Sequence, residues 1–293
     1  MELLSEPFGY AFFRQGLAVS VLVGLLCGLI GVYVVLRHMS YIGHGLSHAV
    51  FGGAVVAYVA AWDFYLGAGL WAFGAALVIN AVARRRRIGA DAAIGIVTTA
   101  SFALGVALIS KTRSFTTNFE AALFGNILGV TPLDLTVVAV VTVGVAVFIA
   151  LGYKRLLFMT FDPEVAPIFG IRTGWMDALF ALALAATIVA SINVVGVTLI
   201  AATLIIPATT ARLLTDSFSR MIVLSAALGA SAGAAGMYAS YWLDISSGAT
   251  IVLLEAGLFC VSFAWQLVRG RRSAWADAPV VTYHGRPQVV DDL

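Results

Sequence analysis

Two histidines one helical turn apart, His44 and His48, are the residues best placed to do chemistry in this sequence. On a helix, residues i and i+4 share one face with Cβ atoms about 5–6 Å apart, so both imidazoles can reach one metal ion. Ionisable side chains are costly inside a membrane and usually mark a pathway. A single His near the end of a membrane helix is often only an interfacial or packing residue, and we interpret His38, beside Arg37, in that way. The spacing therefore predicts a divalent-metal site at His44 and His48.

The composition places these histidines in a membrane protein. The chain has 293 residues, of which 61% are hydrophobic and 11% charged, and its mean hydropathy is +0.99. A soluble domain carries about 25% charged residues, so this chain could not cover a globular surface with them. Apolar runs recur from end to end, which predicts an all-α, polytopic helical membrane protein. No segment is long enough for a soluble ATPase domain, so we expect any ATP hydrolysis to be carried out by another chain and this chain not to be an enzyme itself.

About eight to nine transmembrane helices are expected. The predicted spans are approximately 15–36, the segment of His44 and His48 up to about 61, 64–83, 91–110, 132–151, 175–195, 196–214, 221–242 and 248–268. Residues 119–130 are apolar but too short to cross, and they predict a re-entrant or interfacial segment. Residues 1–272 form the predicted permease domain, and the polar residues 273–293 form a predicted disordered cytoplasmic tail.

Basic residues at the span ends predict the orientation of the chain. Arg84–Arg87 form the strongest cluster, and the positive-inside rule places that loop in the cytoplasm. With every main cluster inside, nine crossings put the N-terminus outside and the C-terminus inside. Lys111 and Arg113 then lie outside, against the rule, and eight crossings or a half-buried segment near residues 37–50 remain alternatives.

Several stretches together resemble the permease subunits of the ABC-type zinc/manganese importers, the ABC-3 family. They occur in family order across roughly residues 15–268, and the ordered set is specific although each stretch alone is weak. The matching stretches are Gly31–Arg37 running into Ser47–Val50, Asp91–Ile96, Phe102–Val106, Leu123–Leu128, Phe161–Ala166 with Gly170, Val195–Ile200 and Ile206–Ala211.

The resemblance implies partners, a cargo and a location. It implies a homodimer docked on two cytoplasmic ATPase subunits that bind ATP, in the inner or plasma membrane of a prokaryote. An extracytoplasmic solute-binding protein would deliver Zn²⁺ or Mn²⁺, with no permanently bound cofactor and no nucleic-acid partner. The family usually has Asp at the position of His44. Two imidazoles suit Zn²⁺ better than Mn²⁺, which prefers more oxygen ligands, so zinc is the favoured cargo and manganese the next.

The resemblance also implies a cytoplasmic element that couples the ATPase to the membrane spans. It comprises Asp162, Glu164, Ala166 and Gly170, with Asp162 as a helix cap and Pro163 at the first helical position. We expect this element to transmit ATPase closure to the bundle during alternating access. Pro207 is a candidate helix kink for gating.

Other interpretations remain for comparison. A secondary, ion-coupled transporter would need intramembrane carboxylates, and Glu255 is the only mid-span candidate; it is either a structural residue or part of a pathway. An intramembrane metalloprotease would need a general base beside its ligands, and residues 45–47 between the histidines supply none. An importer of iron or an iron chelate is the alternative within the same class.

Overall fold

The computed structural model describes residues 6–83, 90–112 and 125–269, and within them the chain forms only helices. Eight of the α-helices are long and apolar enough to cross a membrane, which confirms the predicted polytopic all-α fold. The α-helices are α1 (Ala11–Leu36), α2 (Ser40–Val59), α3 (Phe64–Ala83), α4 (Ala90–Thr112), α5 (Pro132–Phe161), α6 (Thr173–Val195), α7 (Ile200–Leu214), α8 (Phe218–Leu243) and α9 (Ser247–Arg269). Short 3-10 helices form at Glu6–Gly9, Ile127–Gly129 and Ala166–Phe169.

Contacts between helix ends define the two ends of the bundle. At one end, Arg37 after α1 pairs with Asp177, the fifth residue of α6, and the Tyr33 and Phe161 rings both pack on Phe218 at the start of α8. At the other end, Phe13 near the start of α1 packs on Tyr241 near the end of α8. The first end carries most of the described basic residues, and we refer to it as the cytoplasmic end because of the positive-inside rule.

Helix α5 continues past the point at which the sequence predicts its end. Residues 154–155, Lys and Arg, were expected to terminate it, but the helix runs to Phe161. Charged side chains end the part of a helix that can lie in lipid, but they do not break the helix itself. The break comes at Asp162, because a residue before proline is disfavoured in helical conformation and Pro163 follows. The last turns of α5 therefore extend the bundle toward the cytoplasm.

Helix α7 is shorter than the span predicted over 196–214. Its 15 residues reach about 22 Å, less than the roughly 30 Å of a hydrocarbon core. The non-helical residues before it, 196–199, follow the buried end of α6, and Val197 and Ile200 are themselves buried. Non-helical backbone at membrane depth is tolerated where protein surrounds it. The break between α6 and α7 is thus packed against the bundle through Gly196 and Val197, while Thr198 is exposed.

Helices α1 and α8 pack with their backbones in close contact. A Cβ on Gly24 would lie 2.1 Å from the carbonyl oxygen of Gly229, and one on Gly229 would lie 2.1 Å from that of Gly24. Ser225 Oγ donates a hydrogen bond of 2.7 Å to the carbonyl of Gly28. Small residues allow this approach between membrane helices. The backbones of α1 and α8 are therefore in direct contact over this part of the bundle.

Three predictions concern residues outside the described ranges: the Arg84–Arg87 cluster, residues 119–124 of the apolar segment and the tail 273–293. The remainder of that apolar segment is described. Its 3-10 turn Ile127–Gly129 buries Ile127, and the backbone N–H of Asn126 donates to the carbonyl of Asn193 at the end of α6. The loop before α5 therefore packs on the end of α6 opposite the cytoplasm.

Candidate metal-transport site

His44 and His48 lie on the same face of α2, as their spacing predicts. Their ring centroids are 4.7 Å apart, and the ring planes are nearly perpendicular. Zn–N bonds are about 2.1 Å long, so two imidazoles on one tetrahedral ion have their centres about 5 Å apart. His44 is exposed on the surface of the chain and His48 is half-buried. The two rings are therefore close enough to share one ion that reaches them from the His44 side.

The Nδ1 atom of His48 is buried and has no hydrogen-bond partner. One side of the ring is covered by Phe102 of α4, whose centroid lies 5.3 Å away in an edge-to-face arrangement. A buried polar nitrogen without a partner is unusual, because the missing hydrogen bond carries a cost of about 1–3 kcal/mol. Nδ1 therefore has no hydrogen bond to break before it binds a ligand, but a ligand reaches it only when the protein that covers it moves.

Close packing against α4 fixes the face of α2 that carries the histidines. A Cβ on Gly52 would lie 2.2 Å from the carbonyl oxygen of Ser101, so only glycine permits this approach. On the preceding turn of α2, Ser47 Oγ donates to the carbonyl of His44 at 2.7 Å. The hydroxyl of Ser47 is thereby satisfied within its own helix and does not donate a hydrogen bond to either imidazole.

The ligand set that one chain offers is incomplete. Across the described parts of the chain, no group of three or more His, Cys, Asp or Glu side chains is arranged to hold a metal ion. A structural zinc site uses four protein ligands and a catalytic one usually three. A transported ion must also leave, which favours a site with few ligands. An exposed imidazole and a half-buried one meet that requirement when water or a second chain supplies the remaining ligands.

Helix α7 touches the same region from the other side. Leu204 approaches Gly43, the residue before His44, and its carbonyl oxygen lies against Gly31 of α1. Pro207, the predicted kink, lies one turn further along α7 and is buried. The structure thus brings the candidate gating helix next to the first turn of the histidine helix.

The predicted coupling residues lie at the cytoplasmic end, after α5. Asp162 and Glu164 are exposed, Ala166 is buried, and Gly170 ends the 3-10 helix Ala166–Phe169 with a left-handed φ of 74°, a conformation that favours glycine. The prediction that Asp162 caps the start of a helix was wrong. Asp162 instead follows the end of α5, and its N–H donates to the carbonyl of Phe158 at 2.8 Å. A proline does lie in the first turn of the short helix, but it is Pro167.

An apolar patch accompanies the coupling residues. Ile168 is 81% exposed and Phe169 is 65% exposed, and Phe161 at the end of α5 is also exposed. These side chains lie beyond the charged residues 154–155 of α5, at the end of the bundle that we assign to the cytoplasm. Exposed apolar patches with a polar border mark protein-binding surfaces.

A polar network at the opposite end joins three helices and was not predicted as a unit. Asp134 in the first turn of α5 accepts hydrogen bonds from Tyr65 of α3, from Asn193 of α6 at 3.2 Å and from the backbone and hydroxyl of Thr131 at 2.8 and 2.6 Å. The part of this network with a sequence signal is the capping box Thr-Pro-Leu-Asp at residues 131–134. The hydrogen bonds of Asp134 with Tyr65 and Asn193 join residues that are far apart in the sequence.

Comparison with known proteins agrees with this architecture. The family model described as "ABC 3 transport family" matches residues 9–266. The chain is 38% identical over 270 residues to the manganese transport system membrane protein MntC of Listeria monocytogenes, covering 92% of this chain and 96% of that protein. It is 34% identical over 263 residues to the chelated iron transport system membrane protein YfeC of Yersinia pestis, covering 90% of this chain.

A solved structure gives the same result. The chain is similar to a chain of PsaBC from Streptococcus pneumoniae in complex with Fab, with 32% sequence identity and a TM-score of 0.81, covering 92% of this chain and 99% of that one. The family model matches most of the chain, the relatives match it over nearly their whole length, and eight helices are able to span a membrane. The chain therefore belongs to the ABC 3 transport family and is a multi-pass transport subunit of the cell membrane.

Proposed function

We propose that this chain is the transmembrane subunit of an ATP-driven importer that moves a divalent metal ion into the cytoplasm by alternating access. The observation that carries the proposal is the pair of imidazoles on α2, 4.7 Å apart, of which one has a buried and unpartnered nitrogen. The manganese and iron systems named for its relatives support a metal cargo. His44 and His48 are the proposed ligands.

Zinc is the proposed cargo, and manganese is the second candidate. Imidazole ligands favour Zn²⁺, whereas Mn²⁺ prefers oxygen ligands. Manganese is favoured by a different observation, the names of relatives that are 38% identical to this chain over nearly all their length. The two cargoes differ in what they require of position 44, where this chain has imidazole and not the carboxylate that its family usually carries.

The substitution His44→Asp tests the cargo. Uptake of zinc, manganese and ferrous iron is measured separately in membranes that contain the chain with its ATPase and binding protein. We expect the wild type to prefer zinc and His44→Asp to shift the zinc-to-manganese ratio toward manganese by about tenfold. His38→Asn is the matched control, because His38 is exposed and has a positive φ of 55°, which Asn tolerates. A wild type that transports manganese or iron in preference to zinc would contradict the proposed cargo.

A second copy of the chain is the proposed source of the missing ligands. His44 and the neighbouring Tyr41 are exposed, although the helix that carries them is largely buried. In a homodimer with two-fold symmetry, equivalent surfaces face each other. The histidine faces of two protomers would then complete one ion site between them, and an extracytoplasmic solute-binding protein would deliver the ion.

The exposed patch after α5 is the proposed docking surface for the two ATPase subunits. We propose that Asp162, Glu164, Ala166 and Gly170 position the short helix and that Ile168 and Phe169 enter the ATPase. Ile168→Asp should reduce co-purification of the ATPase by about tenfold or more, because it places a charge in an apolar contact. Arg155→Gln, at an exposed residue on the same end of α5, is the control. Undiminished co-purification of Ile168→Asp would contradict this docking surface.

A further inference from the structure

A carboxyl group lies inside the bundle without any hydrogen-bonding partner. Glu255 of α9 is 2% exposed, and both of its carboxylate oxygens are buried and unpartnered. It lies eight residues into the helix, about 12 Å from its start. In the described parts of the chain, the one ion pair joins Arg37 to Asp177. Glu255 is therefore neither paired with a cation nor held by donors.

The groups around Glu255 do not favour a negative charge. The thiol of Cys27, in α1, is close enough for the Glu255 carboxyl to act on it electrostatically, and Cys27 Sγ lies 4.0 Å from Ser191 Oγ of α6. All three side chains are buried. The other titratable or charged residues of the helices packed against α9 lie toward the helix ends, namely Asp177, Arg212, Arg220, Tyr238, Tyr241 and Asp244.

An ionised carboxylate in these surroundings would be very unfavourable. Moving a charge from water into an apolar interior without compensation costs several kcal/mol or more, and such groups take up a proton instead. A metal ion would need further ligands, and Glu255, unlike the exposed His44, does not face water or a second chain that could supply them. A proton requires neither additional ligands nor a cavity. The surroundings of Glu255 thus fit a proton and no larger cation.

We propose that Glu255 is a proton-binding site in the interior of the bundle, separate from the histidine face of α2. The carboxyl binds one proton in the packed arrangement described here, and it releases that proton to water when the surroundings of α9 open. The packed arrangement is then favoured as the pH falls. The site is independent of the identity of the transported metal, so the cargo experiment above can fail without affecting it.

Infrared spectroscopy tests the proton directly. The full-length chain in lipid nanodiscs, at neutral pH, should show the C=O stretching band of a protonated carboxylic acid, and glutamate labelled with ¹³C should shift that band. Glu255→Gln should abolish it, whereas Glu6→Gln, at an exposed residue of the first 3-10 helix, should leave it unchanged. A labelled wild-type chain without any protonated glutamic acid band at neutral pH would overturn the proposal, and this result does not depend on folding of the variant.

Thermal unfolding at two pH values tests the linkage. The packed chain binds one proton at Glu255 that the unfolded chain has released at neutral pH, so raising the pH should lower its folding equilibrium constant by up to tenfold per pH unit. The effect is measured as the difference between wild type and Glu255→Gln from about pH 6 to about pH 8, which removes the contribution of the histidines. Identical pH dependence of the two proteins would show that Glu255 does not bind a proton on folding.

Discussion

Two polar sites in this bundle have opposite hydrogen-bonding states. At the end opposite the cytoplasm, both carboxylate oxygens of Asp134 accept hydrogen bonds, from Tyr65, Asn193 and Thr131. On α2, the exposed His44 lies beside His48, whose buried Nδ1 has no partner. Polar groups are costly at both sites. The carboxylate of Asp134 has hydrogen bonds to both oxygens, whereas Nδ1 of His48 has none.

The difference distinguishes a structural site from the proposed functional one. The Asp134 network joins α3, α5 and α6, and each oxygen of its carboxylate already accepts two hydrogen bonds. An unsatisfied nitrogen beside an exposed imidazole costs stability in the free chain, which is understandable if a ligand satisfies it in part of the transport cycle. The comparison therefore predicts that the histidines control uptake and that the Asp134 network controls stability.

The largest expected effect is on uptake when a ligand is removed. His48→Ala should lower metal uptake by at least about 100-fold, because loss of a direct ligand exceeds the 10–100-fold that loss of a supporting residue costs. The protein should still fold, since the substitution removes an unpartnered ring nitrogen. Uptake per unit of folded protein is measured against wild type, with His38→Asn as the control. Wild-type uptake by both His48→Ala and His44→Ala would remove these histidines from the pathway.

A smaller effect is expected from acid. A histidine must be neutral to bind a metal ion, so protons compete with the cargo. Metal affinity should fall as the pH falls, by up to about tenfold per pH unit for each ligand that must lose a proton. His44→Asp should be less sensitive between about pH 5 and pH 6, because carboxylates are deprotonated there. The measurement is metal binding to the purified assembly across that range, and equal sensitivity of the two proteins would exclude His44 as a ligand.

The smallest effect on uptake is expected at the opposite site. Asp134→Asn should cost about 1–3 kcal/mol of stability, because one acceptor oxygen is replaced by a donor that faces the Thr131 N–H and hydroxyl. Uptake per folded molecule should change less than about twofold if the network is structural. Thr136→Val is the control, since that hydroxyl bonds only to the carbonyl of Pro132 in its own helix. A larger loss of uptake, with unchanged thermal stability, would make Asp134 part of the pathway.

The membrane-spanning helices and the proximity of the two histidines could be predicted from the sequence. Apolar segment length decides which helices can cross a bilayer, and a four-residue spacing on a helix is sufficient to bring His44 and His48 together. Both depend on local geometry alone. The end of α5 was missed because lipid compatibility and helix continuity are different properties, and charge affects only the first.

Contacts between distant residues could not be predicted in this way. Tyr65 and Asp134 are separated by 69 positions and Asn193 lies 59 positions beyond Asp134, so their meeting depends on how α3, α5 and α6 pack. The same holds for Glu255, whose lack of a partner depends on the helices around it. The capping box at Thr131 was readable, but the two additional donors to Asp134 come from other helices.

X-ray absorption at the metal edge, on the purified assembly loaded with zinc, tests the histidine site most directly. The account predicts imidazole nitrogens about 2.0–2.1 Å from the ion, lost in the double variant His44→Ala and His48→Ala and retained in His38→Asn. A wild-type spectrum without imidazole ligands, or one unchanged in the double variant, would contradict the claim that this pair holds the ion as it crosses.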